Sequence, residues 1–215
     1  MKIAIVGGHG KIALMLARLL CDRGDSARCL IRDPAQAADV TAAGGEPVLM
    51  DLEHDDDANI DLAVTDCDAV VFAAGAGPGS GAERKETVDY GGAVRTIDAA
   101  RRSGIDRYVM ISSVRADPEA EGDDIFAVYL RAKGRADRVL ADSGLAYTIL
   151  RPVALTDDSG TGRIAVDGGQ LQQSVPREDV AEVIAEVLPD DRTAGLTFEL
   201  SSGETPIADA IAGLV

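Results

Sequence analysis

Lys2-Ile3-Ala4-Ile5-Val6-Gly7-Gly8-His9-Gly10-Lys11-Ile12-Ala13 opens the chain and decides how the rest is read. Lys2–Gly7 is a compact apolar run of strand size, and Lys11–Arg23 carries Ile12, Leu16, Leu19 and Leu20 at helical spacing before Gly24 stops it. Between the two, Gly7, Gly10 and Ala13 match G-x-x-G-x-x-[G/A]. The first glycine permits a tight turn, the second lets backbone approach a pyrophosphate, and the small third residue lets helix pack close on strand. A helix starting there turns free N–H groups and a partial positive charge toward phosphate. Gly7, Gly8, His9, Gly10, Lys11 and Ile12 are therefore candidate dinucleotide contacts. A glycine turn alone is a weak signal. Its weight comes from its place at the head of a long β/α pattern.

Strand and helix alternate through the remainder of the chain. Strands are expected near Ala27–Arg32, Glu46–Leu52, Asp68–Ala74, Arg107–Ser113, Ala146–Leu150 and Leu196–Leu200. Helices are expected over Glu83–Ser103, Ile125–Ser143 and Arg177–Leu188, with one opened by Asp33 as cap and Pro34 in its first turn, and a short tail helix near Pro206. The apolar character of Asp68–Ala74 suits a strand covered on both faces. The pattern predicts one α/β domain, a Rossmann-type doubly wound parallel sheet, with a small substrate-side insertion around 153–176.

Composition narrows the function. The 215 residues carry 21 basic and 37 acidic side chains, a net charge of −16, which disfavours a nucleic-acid partner. Trp is absent and aromatics are 3%, so no base-stacking platform is visible. Cys21, Cys29 and Cys67 form no CxxC pair and read as free thiols of a reducing cytoplasm, with no metal site. The longest apolar stretch, Ala69–Ala76, is too short to span a membrane, and the expected location is cytoplasmic. The acidic clusters Glu53–Asp57 and Glu119–Asp124 read as solvated loops or helix starts.

Strand ends carry the remaining cofactor candidates. Arg32, at the second strand's end, suits a ribose 2′-phosphate, whereas an acidic residue there would suit a 2′-hydroxyl. NADP(H) is therefore favoured over NAD(H), an ordinary surface arginine being the bland alternative. Asp51 and Leu52 are adenine-contact candidates or a plain strand exit; Ala73-Ala74-Gly75 lets backbone approach the cofactor. Gly75, Gly77, Gly79 and Gly81 around Pro78 form a loop that either moves on binding or is simply a loop.

Tyr129-Leu130-Arg131-Ala132-Lys133 places a phenol and an ammonium on one helical face. A nearby ammonium stabilises phenolate, which suits the tyrosine to proton transfer. Lys133 can also bond a nicotinamide ribose. Ser112 and Ser113 close the fifth strand, where a hydroxyl either polarises a substrate carbonyl or satisfies backbone. All four belong where strand ends line a ligand crevice.

With these residues in place, the chain resembles the atypical, single-domain branch of the short-chain dehydrogenases/reductases over nearly its whole length. The resemblance rests on Gly7–Ala13, Arg32-Asp33-Pro34, Val88-Asp89-Tyr90, Tyr108–Ser113, Tyr129–Lys133, Tyr147–Pro152 and Pro176–Ala181. Members are often labelled NAD(P)-dependent epimerase/dehydratase-like and include flavin and biliverdin reductases and redox sensors. The resemblance implies strand order 3-2-1-4-5-6-7, Tyr129 as acid/base, Lys133 as its modulator and Ser113 (or Ser112) as carbonyl holder. The family's usual active-site Asn has no counterpart: Asn59 is the only Asn, and it stands in an acidic loop. Only about sixty residues follow Pro152, little for a bulky sugar nucleotide. The expected activity is hydride transfer between NADP(H) and a small carbonyl or quinone-like substrate by a monomer or homodimer. An NADPH-binding sensor is the alternative, and a sugar-nucleotide epimerase or dehydratase the third.

Overall fold

The computed structural model describes residues 1–77, 79–166 and 171–215. Pro78 of the expected glycine loop and residues 167–170 of the expected insertion lie outside the described residues.

The chain begins β1 (Lys2–Val6), α1 (Lys11–Asp22), β2 (Ser26–Ile31), a 3-10 turn (Pro34–Gln36), α2 (Ala37–Ala42) and β3 (Glu46–Leu49). Asp33 caps the turn as expected, its carboxylate accepting from the Ala35 N–H at 2.9 Å. Next come α3 (Asp57–Val64) and β4 (Ala69–Phe72). A continuous helical run then joins α4 (Ala82–Arg84), a π-helical stretch (Lys85–Gly92) and α5 (Ala93–Arg102). The chain continues with β5 (Arg107–Ile111), α6 (Ile125–Ala141), β6 (Ala146–Pro152), β7 (Ala154–Thr156), β8 (Arg163–Val166), β9 (Ser174–Pro176) and α7 (Arg177–Val187). It closes with β10 (Leu196–Ser202), β11 (Thr205–Pro206) and α8 (Ile207–Ala212).

The main sheet has the order β11-β8-β10-β6-β5-β4-β1-β2-β3. From β3 to β10 every pairing is parallel, which is the expected 3-2-1-4-5-6-7 with β10 as its seventh strand. Beyond β10 the sheet turns antiparallel through β8 and β11. So the expected insertion contributes a strand to the main sheet, while β7 and β9 pair separately beside it.

Period-two alternation on strands buried on both faces splits the core in two. Ile3 and Ile5 of β1, with Val109 and Ile111 of β5, pack under α1, α7 and α8. Ala4 and Val6, with Tyr108 and Met110, pack under α3, α5 and α6. Two helical features add detail to the expected pattern. The acidic segment after β3 is a helix start, one of its two expected readings: Asp56 caps α3 by accepting from the Asn59 N–H at 2.9 Å, and Ile60, Ala63 and Val64 are buried. The long helix expected over Glu83–Ser103 is π-helical at Lys85–Gly92, a widening that tends to mark functional sites. Cys21, Cys29 and Cys67 are free thiols, and burial pushes the Cys29 thiol up to about 12.

Candidate cofactor and active site

The glycine turn is built as a cradle. Gly7 has φ +78°, and a Cβ there would fall 2.7 Å from Ala74 Cα of the neighbouring strand end. Gly8 touches β2 as closely: a Cβ would sit 2.5 Å from Cys29 Cβ. α1 starts with no side-chain cap and no acidic residue in its first turn, and the first amide to find a helical partner is Leu14, donating to the Gly10 carbonyl at 2.9 Å. Twelve residues of helix thus present an open N-terminus to whatever lies above the turn. That cradle fits a diphosphate: backbone donors, no side chain in the way, and Gly10 where a closer approach is possible. Ile12 is buried and packs α1 on the sheet. The Lys11 ammonium pairs with the Asp157 carboxylate, which Arg177 Nη1 also reaches at 2.7 Å. The Lys11 hydrogen bond chiefly holds Asp157 below the usual carboxylate range.

Beside the turn runs a groove of about 270 Å³, enough for part of a dinucleotide. It brings together Gly7, His9 and Gly10 with Arg32, Asp51, Leu52, Ala73, Ala74 and Gly75. Gly8, Lys11 and Ile12 are not among its walls. His9 Nε2 faces Asp39 at 2.8 Å. Asp51 folds its carboxylate onto the adjoining turn, accepting from the Glu53 N–H at 2.8 Å and meeting His54 Nδ1 at 3.1 Å. Burial opposes its ionisation, yet these bonds hold Asp51 below the usual range.

The second group of candidates sits across β4 and β5. Lys133 is buried on α6; its ammonium donates to the Ile111 carbonyl at 3.1 Å and lies 3.4 Å from Asp89 Oδ1. The Phe72 ring lies 5.7 Å away. Tyr129, one turn earlier, is half-buried; the ammonium over its ring is that of Lys85, 5.3 Å from the centroid. Phe126 flanks the same ring at 6.1 Å. Ser113 is half-buried with its hydroxyl on the Val114 carbonyl at 3.2 Å. Ser112 is buried, its Oγ unpartnered next to Asp137, whose Oδ1 is equally unpartnered. Burial raises the Asp137 carboxyl above the ordinary range although Ser112, Arg151 and Lys133 all favour its anion. Arg151 is tied to Asp137 at 2.8 Å, a structural use of that side chain.

Among the side chains at these sites that sequence reasoning did not assign, four bear on the chemistry. Glu53, Arg84 and Val88 line the groove. Asp89 is 1% exposed and holds two things at once: it accepts from the Ala76 N–H at 3.0 Å and pairs with Lys133. Asp89 stands inside the Val88-Asp89-Tyr90 motif, so a signal existed; Glu53 stands in an acidic run that reads as solvent-facing.

The comparisons agree with this geometry. A family model described as NAD(P)H-binding matches residues 7–191. The Bacillus subtilis protein named "Uncharacterized sugar epimerase YhfK" is 36% identical over 212 residues, covering 98% of this chain and 99% of its own. A solved Bacillus halodurans structure, assigned by name only to the NAD-dependent epimerases/dehydratases, superposes with TM-score 0.92 at 38% identity, covering 99% of both chains. The Lactococcus lactis oxidoreductase ylbE superposes with TM-score 0.85 at 26% identity, over 100% of this chain and 96% of that one. The chain therefore belongs to the NAD(P)H-binding family, in the atypical short-chain dehydrogenase/reductase group of Rossmann folds.

Proposed function

We propose that the protein is an NADP(H)-dependent oxidoreductase acting on a small carbonyl or quinone-like substrate. The observation that carries the reading is the row Tyr129, Lys133, Asp137 at four-residue intervals along α6, with the Lys133 ammonium bonded to the last residue of β5. Lys133 of that row stands at the carboxyl ends of β4 and β5, where doubly wound folds bind their ligands. Gly7, Gly10, Ala74 and Gly75 would hold the cofactor's diphosphate and adenosine half, with Arg32 toward a 2′-phosphate. Bound there, the cofactor supplies or takes up hydride at the nicotinamide ring.

The chain's own groups handle the proton. Tyr129 gives its phenolic proton to the substrate oxygen in reduction and takes it back in oxidation. Ser113, the more open of the two serines, donates a hydrogen bond to the same oxygen. Lys133 has donors beyond the one on Ile111, and these serve the cofactor ribose and the phenolate. Asp89 keeps that ammonium in place.

The test is NADPH oxidation with a panel of aldehydes, ketones and quinones. Tyr129→Phe should lower kcat by about a hundredfold or more while NADPH affinity changes less than twofold. Unchanged turnover removes Tyr129 from the mechanism. A second reading, epimerase chemistry, draws on the names carried by the B. subtilis and B. halodurans proteins. Purification with one tightly held NAD per chain would favour it.

A further inference from the structure

Three charged side chains meet on the wall of the groove. Arg32 follows β2, Glu53 lies in the turn after β3, and Arg84 ends α4. Glu53 accepts from Arg84 Nε at 3.2 Å, from Arg84 Nη2 at 2.8 Å and from Thr87 Oγ1 at 2.5 Å. Its side chain is 16% exposed, and the Arg84 bonds chiefly hold it below the usual carboxylate range, so it is an anion at neutral pH. Arg32 Nη1 lies 3.9 Å from the same carboxylate, an ion pair past hydrogen-bond distance, and its side chain is 56% exposed. Its planar set of donors is therefore open to a ligand. Arg84 uses Nε and Nη2 on Glu53 and leaves Nη1 over.

This arrangement contains both halves of a selection between two cofactors. The 2′-hydroxyl of NAD(H) is satisfied by a carboxylate acceptor, and the wall offers Glu53. The 2′-phosphate of NADP(H) is a polyanion satisfied by guanidinium donors, and the wall offers Arg32 and Arg84. In a chain of net charge −16, the two guanidiniums balance the carboxylates of Asp51 and Glu53 along this wall, and Asp51 is turned onto its own loop by the Glu53 N–H and His54. We infer that Arg84 and Glu53 set the cofactor preference: Arg84 is a second guanidinium for the phosphate on the adenosine ribose, and Glu53 opposes that phosphate while aiming Arg84. The inference rests on the groove being the seat of the adenosine half, the reading given under the proposed function, and adds the two residues that tune it.

Calorimetric titration of the full chain with NADPH, NADH and 2′,5′-ADP tests it. Arg84→Ala should weaken NADPH and 2′,5′-ADP about tenfold and NADH less than twofold. Because that variant strands the Glu53 carboxylate, the same substitution is repeated in a Glu53→Gln background, where the loss must persist. Glu53→Gln alone should raise the ratio of NADPH to NADH affinity about fivefold. Equal losses for the phosphorylated and unphosphorylated ligands on Arg84→Ala, or a ratio that falls on Glu53→Gln, overturns the inference and leaves the groove's assignment standing. No association of the unmodified protein with any of the three ligands overturns both.

Discussion

Asp89 is the residue on which the two halves of the site depend. Its carboxylate, 1% exposed, meets the buried Lys133 ammonium at 3.4 Å and fastens the Ala76 N–H at 3.0 Å, so it joins α6 to the loop after β4. Removing one member of a buried pair leaves the other charge without compensation, which costs more than the pair contributes. Asp89→Ala is expected to lower unfolding stability by about 3 kcal/mol, and Asp89→Asn by less, since an amide oxygen still accepts from Ala76. Urea unfolding measures both; equal stability of Asp89→Ala and the unmodified protein would show that Lys133 does not need its partner. The Val88-Asp89-Tyr90 motif points to this aspartate but does not say that it holds Lys133. At regular helical spacing it is one acid among many, and the π-helical stretch that changes its register has no compositional signature. By contrast, Tyr129 and Lys133 are legible because i, i+4 spacing on a regular helix fixes their common face, and Arg32 because a strand end fixes its place. Glu53 is hidden by its neighbours: four of the five residues from Glu53 to Asp57 are acidic, a run that reads as solvent-facing.

Among elements, legibility follows the strength of the repeat. β1, β4, β5 and α1 can be read within a few residues because these buried strands are apolar after a leading Lys2 or Arg107 and α1 buries Ile12, Ala13, Leu16, Ala17 and Leu20 on one stripe. α3 escapes such a reading because eight residues bury only three and the cap sits in an acidic run. β8 and β11 escape it because strands of four and two residues carry no pattern, and antiparallel pairing at the sheet's edge is a tertiary outcome. The contact that fixes this edge is narrow. A Cβ on Gly203 would fall 2.4 Å from Ala165 N and 2.4 Å from Ile164 C, so β10 and β8 can close only over a bare backbone. Gly203→Ala should therefore cost roughly 1–3 kcal/mol in urea unfolding by forcing the edge apart. NADPH affinity should not change with it, because β10, β6, β5 and β4 lie between β8 and the glycine turn at β1. A Gly203→Ala protein as stable as the parent would mean that β8 is not held where the sheet places it.

On the scale of the whole molecule, two electrostatic effects compete as pH falls. A net charge of −16 destabilises the compact state by self-repulsion, and acidification toward the sequence pI of about 4.4 relieves it. Against that, Asp25, Asp51, Glu53, Asp157 and Asp190 are all held below their ordinary values by hydrogen bonds and nearby cations. A carboxyl with a depressed folded-state pKa contributes stability that is present above its unfolded value and lost as pH falls through the folded one. Asp137 and Glu182, raised chiefly by burial, act in the opposite sense, favouring the folded state as they protonate. Magnitudes decide between repulsion and pairing. Spread over 9618 Å² of surface, sixteen net charges average about 600 Å² each, or about 25 Å apart. The screening length is about 10 Å in 0.1 M salt and about 30 Å in 0.01 M. At the higher salt, repulsion is therefore mostly screened while contacts of hydrogen-bond length are not. In 0.1 M salt, unfolding free energy should hold steady from pH 7 to 5 and fall once pH drops below the ordinary carboxylate values of 4.5 and 3.8. At pH 7, moving from 0.1 M to 0.01 M salt should lower the melting temperature, because the screening length then exceeds the spacing between charges. Thermal melts on a grid of pH and salt read both effects together. A stability maximum near pH 4.4 in 0.1 M salt would mean that repulsion outweighs the paired carboxylates even when screened.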